Sequence, residues 1–220
     1  MPLTDTTKTE IENYFKSLLP NVESSVNNLK LKEIMEYKNP LVREMFSNNP
    51  QEFITFFVME RAERSFVTLM GNMIEKVVKI LVEGQEGEII GNKKDWKPYD
   101  LKFRLSDGKE YWLEIKSILN QNNSNNNSIA ALRETAANQG KEFRLCVYYP
   151  TNAIIQKHDY ILVGQKFWSF VGGDINTEST LFELIKGIST DFSFLNLVQE
   201  RTKVLLQEYI HENQSVPKQK

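Results

Sequence analysis

Two alternating apolar runs, joined by Ser106-Asp107-Gly108, constrain this chain more than any other feature of its sequence. Leu101, Phe103 and Leu105 alternate with Asp100, Lys102 and Arg104; Tyr111, Leu113 and Ile115 alternate with Trp112, Glu114 and Lys116. A two-residue period puts alternate side chains on opposite faces of a strand, and Ser-Asp-Gly is turn chemistry. The spacing therefore predicts a β-hairpin over residues 99–116. A three-residue loop with Gly108 in the left-handed conformation pairs Leu105 with Lys109, and so Asp100 with Glu114. Leu101, Phe103, Tyr111 and Leu113 then share the core face, while Asp100, Glu114 and Lys116 share the other. A two-residue loop would split both the carboxylates and the hydrophobic sets between faces. The apolar pattern and the carboxylates ask for the same register.

Around the hairpin, residues 1–50 read as helices with breaks at Pro20, Pro40 and Pro50. Residues 52–83 read as one or two long helices ending at Gly84. Residues 84–91 hold Gly84, Gly87 and Gly91 and read as a turn-rich exit. The Asn-rich stretch 120–128 predicts a loop, and residues 129–138 a helix with Ser128 as its N-cap. Strands are expected at 143–149 and 160–163, and helices at 166–171, 181–188 and 194–212. This order predicts an α/β domain with a mixed central sheet flanked by helices. The expected organisation is one domain over 1–212, with 1–50 a helical N-terminal region and 213–220 a loose tail.

Composition narrows the function. A formal net charge of −2 over 220 residues argues against a protein that coats nucleic acid indiscriminately. Locally the balance reverses: Lys93, Lys94, Lys97, Lys102, Arg104, Lys109 and Lys116 outnumber the acids between Gly91 and Asn120. No secretory signal and no membrane-length apolar run is visible. The single Cys146 has no internal partner, so the cytoplasm is the expected compartment.

An acidic residue two places before a lysine occurs at Glu36, Asp95, Asp100, Asp107 and Glu114, so spacing alone decides nothing. The hairpin register singles out Glu114. Two neighbouring carboxylates repel, and a magnesium ion between them relieves the repulsion. Magnesium takes oxygen ligands and keeps several waters; bound to a phosphate, it stabilises transition-state charge and activates a water. Lys116 projects to the same side, where its ammonium would orient that water or offset phosphate charge. The competing reading is a surface hairpin with a routine Glu/Lys pair. Glu75 lies on a helical stripe with Val67, Gly71, Val78 and Val82, and a carboxylate there needs a partner. That partner is a metal site, or else Glu75 lies at the stripe's edge and reaches water or Lys79 at i+4.

A helix carrying Glu75, then Pro98-Tyr99-Asp100, then Glu114-Ile115-Lys116 on the next strand resembles the PD-(D/E)XK nuclease superfamily, with Tyr99 a departure between the Pro and the Asp. The resemblance implies a restriction-endonuclease-like fold and magnesium held by Asp100 and Glu114. It also implies assistance from Lys116 and a helical Glu at Glu75. It extends over residues 60–173 to type II restriction endonucleases. Residues 63–75 and 163–173 look similar to enzymes that cut GGNCC-type sites, although by their residues alone 163–173 read as helix packing closed by a glycine cap. The implied partners are double-stranded DNA and a second copy, since a two-fold protein matches a palindromic target. Expected DNA contacts are Lys93, Lys94 and Arg133, with Asn122, Asn123 and Asn125 from the Asn-rich stretch. Rival readings are a repair or junction-resolving nuclease of the same superfamily, and a non-catalytic DNA-binding or interaction module.

Overall fold

The computed structural model describes residues 2–36, 40–117, 123–148, 158–188 and 192–214. In chain order its elements are α1 (Asp5–Asn27), α2 (Leu31–Met35), α3 (Pro40–Met45), α4 (Pro50–Gly84), β1 (Glu88–Ile89), α5 (Lys93–Trp96) and β2 (Leu101–Arg104). There follow β3 (Glu110–Lys116), α6 (Asn123–Asn138), β4 (Glu142–Val147), β5 (Ile161–Val163), α7 (Gln165–Gly172), α8 (Thr177–Ile188) and α9 (Phe194–Gln214). The chain divides into two compact units, Met1–Tyr14 with Gly71–Gly187, and Phe15–Met70 with Ile188–Lys220.

The first unit is built on one mixed sheet of order β1-β2-β3-β4-β5. β1, β2 and β3 pair antiparallel, and β3, β4 and β5 pair parallel. The hairpin has the register its loop length demands: Leu101 faces Leu113 and Phe103 faces Tyr111. Gly108 sits at φ 76°, and the Leu105 N–H reaches the Lys109 carbonyl at 3.3 Å. One sheet face buries Leu101, Phe103, Tyr111 and Leu113. Phe103 and Tyr111 pack against Phe170 of α7, with ring centroids 6.0 and 5.1 Å away. The opposite face carries Trp112, Phe143, Leu145 and Val147, covered by Ile129 and Ala136 of α6. Each fully buried large side chain adds about 1.5–3 kcal/mol.

Both faces of β3 are therefore interior, as in parallel sheets reached by helical crossovers. This rules out the surface-hairpin reading: Glu114 is only 9 % exposed. The stretch 163–173 is helix packing, with Phe167, Trp168 and Val171 buried and Gly173 closing α7 at φ 69°.

The second unit is helical. Its core gathers Val26, Leu31, Ile34, Phe53, Phe57 and Val58 with Val198 and Leu205 of α9. Pro40 and Pro50 each open a helix, where a missing N–H removes no helical hydrogen bond. Pro20 does not break α1 as the sequence suggested; it lies inside the helix, on its exposed side. Phe15, Val22 and Val26 stay buried at helical spacing on either side of it, so packing overrides a residue that costs about 3 kcal/mol in an isolated helix.

Other expectations change too. Of the one or two helices expected over 52–83 the chain forms one, α4, which starts two residues earlier at Pro50. α6 begins at Asn123, so Ser128 is a helix-interior residue and not a cap, and 120–122 of the expected loop lie outside the described residues. Asn126, Asn127 and Ser128 are exposed, so extending the helix through them strands nothing, and Asn is only modestly poor in helices. The turn-rich exit contains β1, which forms because β2 offers it an edge: the Ile90 N–H bonds the Lys102 carbonyl at 2.9 Å. α5 is a single turn held by a reciprocal cap between Asn92 and Asp95. Helix α9 continues to Gln214, and 215–220 of the expected tail lie outside the described residues.

Candidate active site

On its α6-covered face, β3 leads outward from the core: Trp112 is buried, Glu114 nearly so, and the Lys116 side chain is 46 % exposed. Lys116 Nζ lies 2.5 Å from Glu114 Oε1. The β2–β3 ladder ends at Leu101 and Leu113, one residue short of the expected Asp100–Glu114 pair. Asp100 is nonetheless fastened to β3 on both sides of Glu114. Its N–H bonds the Leu113 carbonyl at 2.9 Å, and its Oδ2 accepts the Ile115 N–H at 2.7 Å.

The residues before Asp100 explain how it is aimed. Trp96 is buried and donates its indole N–H to the Ile90 carbonyl at 2.7 Å. Tyr99, the departure from the Pro-Asp pattern, is buried against Trp112, ring centroids 4.8 Å apart, and donates its hydroxyl to the Leu132 carbonyl of α6 at 2.8 Å. A residue that looked like an interruption is an anchor. It holds the neighbouring Asp100 at the strand entrance.

Burial pushes the Asp100 carboxyl up to about 6; the Ile115 N–H and Lys116 oppose the rise, while the Glu114 and Glu75 carboxylates add to it. Glu75 thus belongs to the same electrostatic neighbourhood. Its stripe on α4 passes from exposed Val67 to fully buried Val78 and Val82, and Glu75 sits at the transition, 26 % exposed. Its partner is Lys93, at 2.6 Å, not Lys79, which lies 3.9 Å from Glu83. Tyr14 of α1 joins the group: burial raises its hydroxyl pKa and Glu75 raises it further. Nothing in the sequence flagged Tyr14, because only tertiary folding brings α1 to this place.

The other expected contacts divide. Lys94 is exposed on α5, and Asn125 is exposed in the first turn of α6. Asn122 lies outside the described residues, as does the side chain of Asn123. Arg133 is not with the acids. Its guanidinium stacks over Tyr160, 4.6 Å from the ring centroid, beside a cavity of about 440 Å³ also lined by Lys141, Arg144 and His158. Of the basic residues around the hairpin, Lys102 covers the Trp112 ring at 4.0 Å and donates to the Asp95 carbonyl at 2.9 Å. Arg104 pairs with Glu88 at 2.6 Å.

Among the described residues, no three His, Cys, Asp or Glu side chains converge closely enough to cage an ion by themselves. Asp100 and Glu114 fit a less demanding role. Magnesium is commonly bound by one or two carboxylates, with waters and substrate phosphate completing its shell, and the acid group carries charge of one sign that burial makes unfavourable.

The family model for Type II restriction endonuclease EcoO109I matches residues 3–191, most of the chain. The chain belongs to this family. No curated protein matches it at a significant level. Family membership makes it a nuclease of the restriction type, with DNA as its substrate. Among the described residues no helix is long and apolar enough to cross a membrane.

Proposed function

We propose that this restriction endonuclease is a magnesium-dependent enzyme of the PD-(D/E)XK kind that hydrolyses phosphodiester bonds in both strands of a short palindromic site. The observation that carries the reading is the fastening of Asp100 to β3 on both sides of Glu114, with Lys116 beside them. Asp100 and Glu114 would hold the ion, with Glu75 contributing from α4. When bound, magnesium supplies transition-state charge stabilisation and lowers the pKa of an attacking water. Lys116, half exposed and tied to Glu114, presents its ammonium toward that water or the phosphate. The buried aromatic wall of Tyr99 and Trp112 fixes the strand entrance and keeps the acids in place. Lys94 and Asn125, both exposed, are assigned to phosphate or base contact, and Arg133 to phosphate contact away from the acids. A homodimer placing one site on each strand matches the symmetry of the target. The similarity of residues 63–75 and 163–173 to GGNCC cutters points to a site of that type.

Digestion of supercoiled plasmid with and without magnesium tests this. The expected result is discrete bands that require magnesium and map to one palindrome. Asp100→Asn should abolish them while still retarding DNA on a gel in calcium. Cleavage without a divalent ion, or full cleavage by Asp100→Asn, overturns the assignment. Smearing or structure-dependent nicking would replace it with a repair or junction-resolving activity. Intact plasmid under all conditions would leave a DNA-binding module.

A further inference from the structure

An ion pair on a partly exposed surface contributes little to stability. The Lys93–Glu75 pair is nevertheless held by an unusual amount of local construction. Asn92 accepts the Lys94 N–H at 3.0 Å, and Asp95 accepts the Asn92 N–H at 3.0 Å, a reciprocal cap on the N-terminus of a one-turn helix. Trp96 anchors that turn through its indole N–H, and Lys102 binds the Asp95 carbonyl. Gly91, at φ 69°, lets the chain pass close beside Asp95, where a Cβ would lie 3.1 Å from the Asp95 side chain. The backbone of the turn is tied down, while the Lys93 side chain is 66 % exposed and carries its ammonium on the flexible four-carbon stem of a lysine.

The ammonium sits where charge is needed. Glu75 is only 26 % exposed, and its hydrogen bond to Lys93 is 2.6 Å. Asp100 and Tyr14 share the same neighbourhood, and both act on Lys93 electrostatically. A lysine in that position competes with any other cation for the acids, and an exposed ammonium is also a natural ligand for a DNA phosphate.

We propose that Lys93 is an exchangeable counter-ion of the acidic site: it neutralises Glu75 in the free protein and moves to a DNA backbone phosphate when a divalent cation is held by the carboxylates. This rests on the magnesium-site reading above and adds a coupling to it, because DNA that draws Lys93 away frees Glu75 for the cation. The exchange is reciprocal, so the cation also strengthens DNA binding through Lys93.

The test uses the full chain, Lys93→Met and Lys93→Arg, with calcium in place of magnesium so that DNA stays intact. Calcium binding is read from the rise in melting temperature across a titration without DNA. Removing a competing charge should tighten the calcium midpoint of Lys93→Met by about three- to tenfold. A lysine that merely props up the site would weaken it instead. With calcium present, Lys93→Met should bind duplex DNA with a log–log salt slope smaller by about one. Lys93→Arg should restore both values. An unchanged or weaker calcium midpoint in Lys93→Met, or an unchanged salt slope, overturns the exchange. If calcium does not stabilise even the wild-type chain, the magnesium-site reading fails and this inference falls with it.

Discussion

Glu110 and Glu114 stand four residues apart on β3, on the same sheet face, with side chains 13 % and 11 % exposed. Their burial is alike and their company is opposite. Glu110 has Lys141 at 2.7 Å, Arg104 at 3.7 Å and the Trp112 indole N–H at 2.8 Å. Burial alone would raise its pKa, but Lys141 and the indole outweigh that and hold it below the usual range. Glu114 has Lys116, and next to it Asp100 is pushed up to about 6, first by burial and then by neighbouring acids. One end of the strand buries a carboxylate and satisfies it; the other gathers carboxylates and leaves them short of positive charge. Such imbalance is what a cation-binding site needs and what a structural ion pair avoids.

Cleavage should separate the two ends most sharply. Glu114→Gln is expected to lower magnesium-dependent plasmid cleavage by about 10³-fold, the value of several kcal/mol of lost transition-state stabilisation. Glu110→Gln should stay within a few-fold of wild type. Equal losses in a timed digestion would erase the distinction.

Stability should move in opposite directions. Asp100 has a folded pKa of about 6 against an ordinary carboxyl value of 3.8. Between those values the native chain holds its proton more tightly than the unfolded one, so its contribution to stability falls as pH rises, and levels off above about 6. Asp100→Asn keeps an acceptor for the Ile115 N–H and removes the charge. It should raise stability at pH 7–8 by about 1–2 kcal/mol, discounted for partial solvation, and change nothing below about pH 4. Glu110→Gln should lower stability by about 1 kcal/mol at neutral pH. Thermal melts of both variants from pH 4 to 8 check the signs, and a destabilised Asp100→Asn at pH 8 would contradict the electrostatic argument.

The smallest effect concerns the turn that sets both ends in register. A Cβ at Gly108 meets nothing within 4 Å, so Gly108→Ala is opposed only by the φ of 76°. A loss of about 1 kcal/mol is expected in denaturant melts, with cleavage intact. A neutral substitution would mean that the loop does not fix the register.

How much of this was readable in advance depended on distance along the chain. The hairpin was legible because one short loop, one glycine and two alternating runs leave a single register. Asp100, Glu114 and Lys116 followed from it. The pairing of Glu75 was not legible: i+4 spacing offered Lys79, while folding supplied Lys93. Nor could alternation reveal that both faces of β3 are interior, since Trp112 looks the same whether it meets water or α6. Pro20 obeyed local preference less than the burial of Phe15, Val22 and Val26 on either side of it.

The sequence by itself determined the strand pair, its register and the shared face of Glu114 and Lys116, because those follow from bond geometry over a few residues. Only the tertiary structure decided what surrounds them: the α6 cover over Trp112, the Tyr99 anchor, and the approach of Glu75, Lys93 and Tyr14. The charge state of a carboxylate depends on solvent exclusion and on charges distant in sequence, and neither exists until the chain has folded.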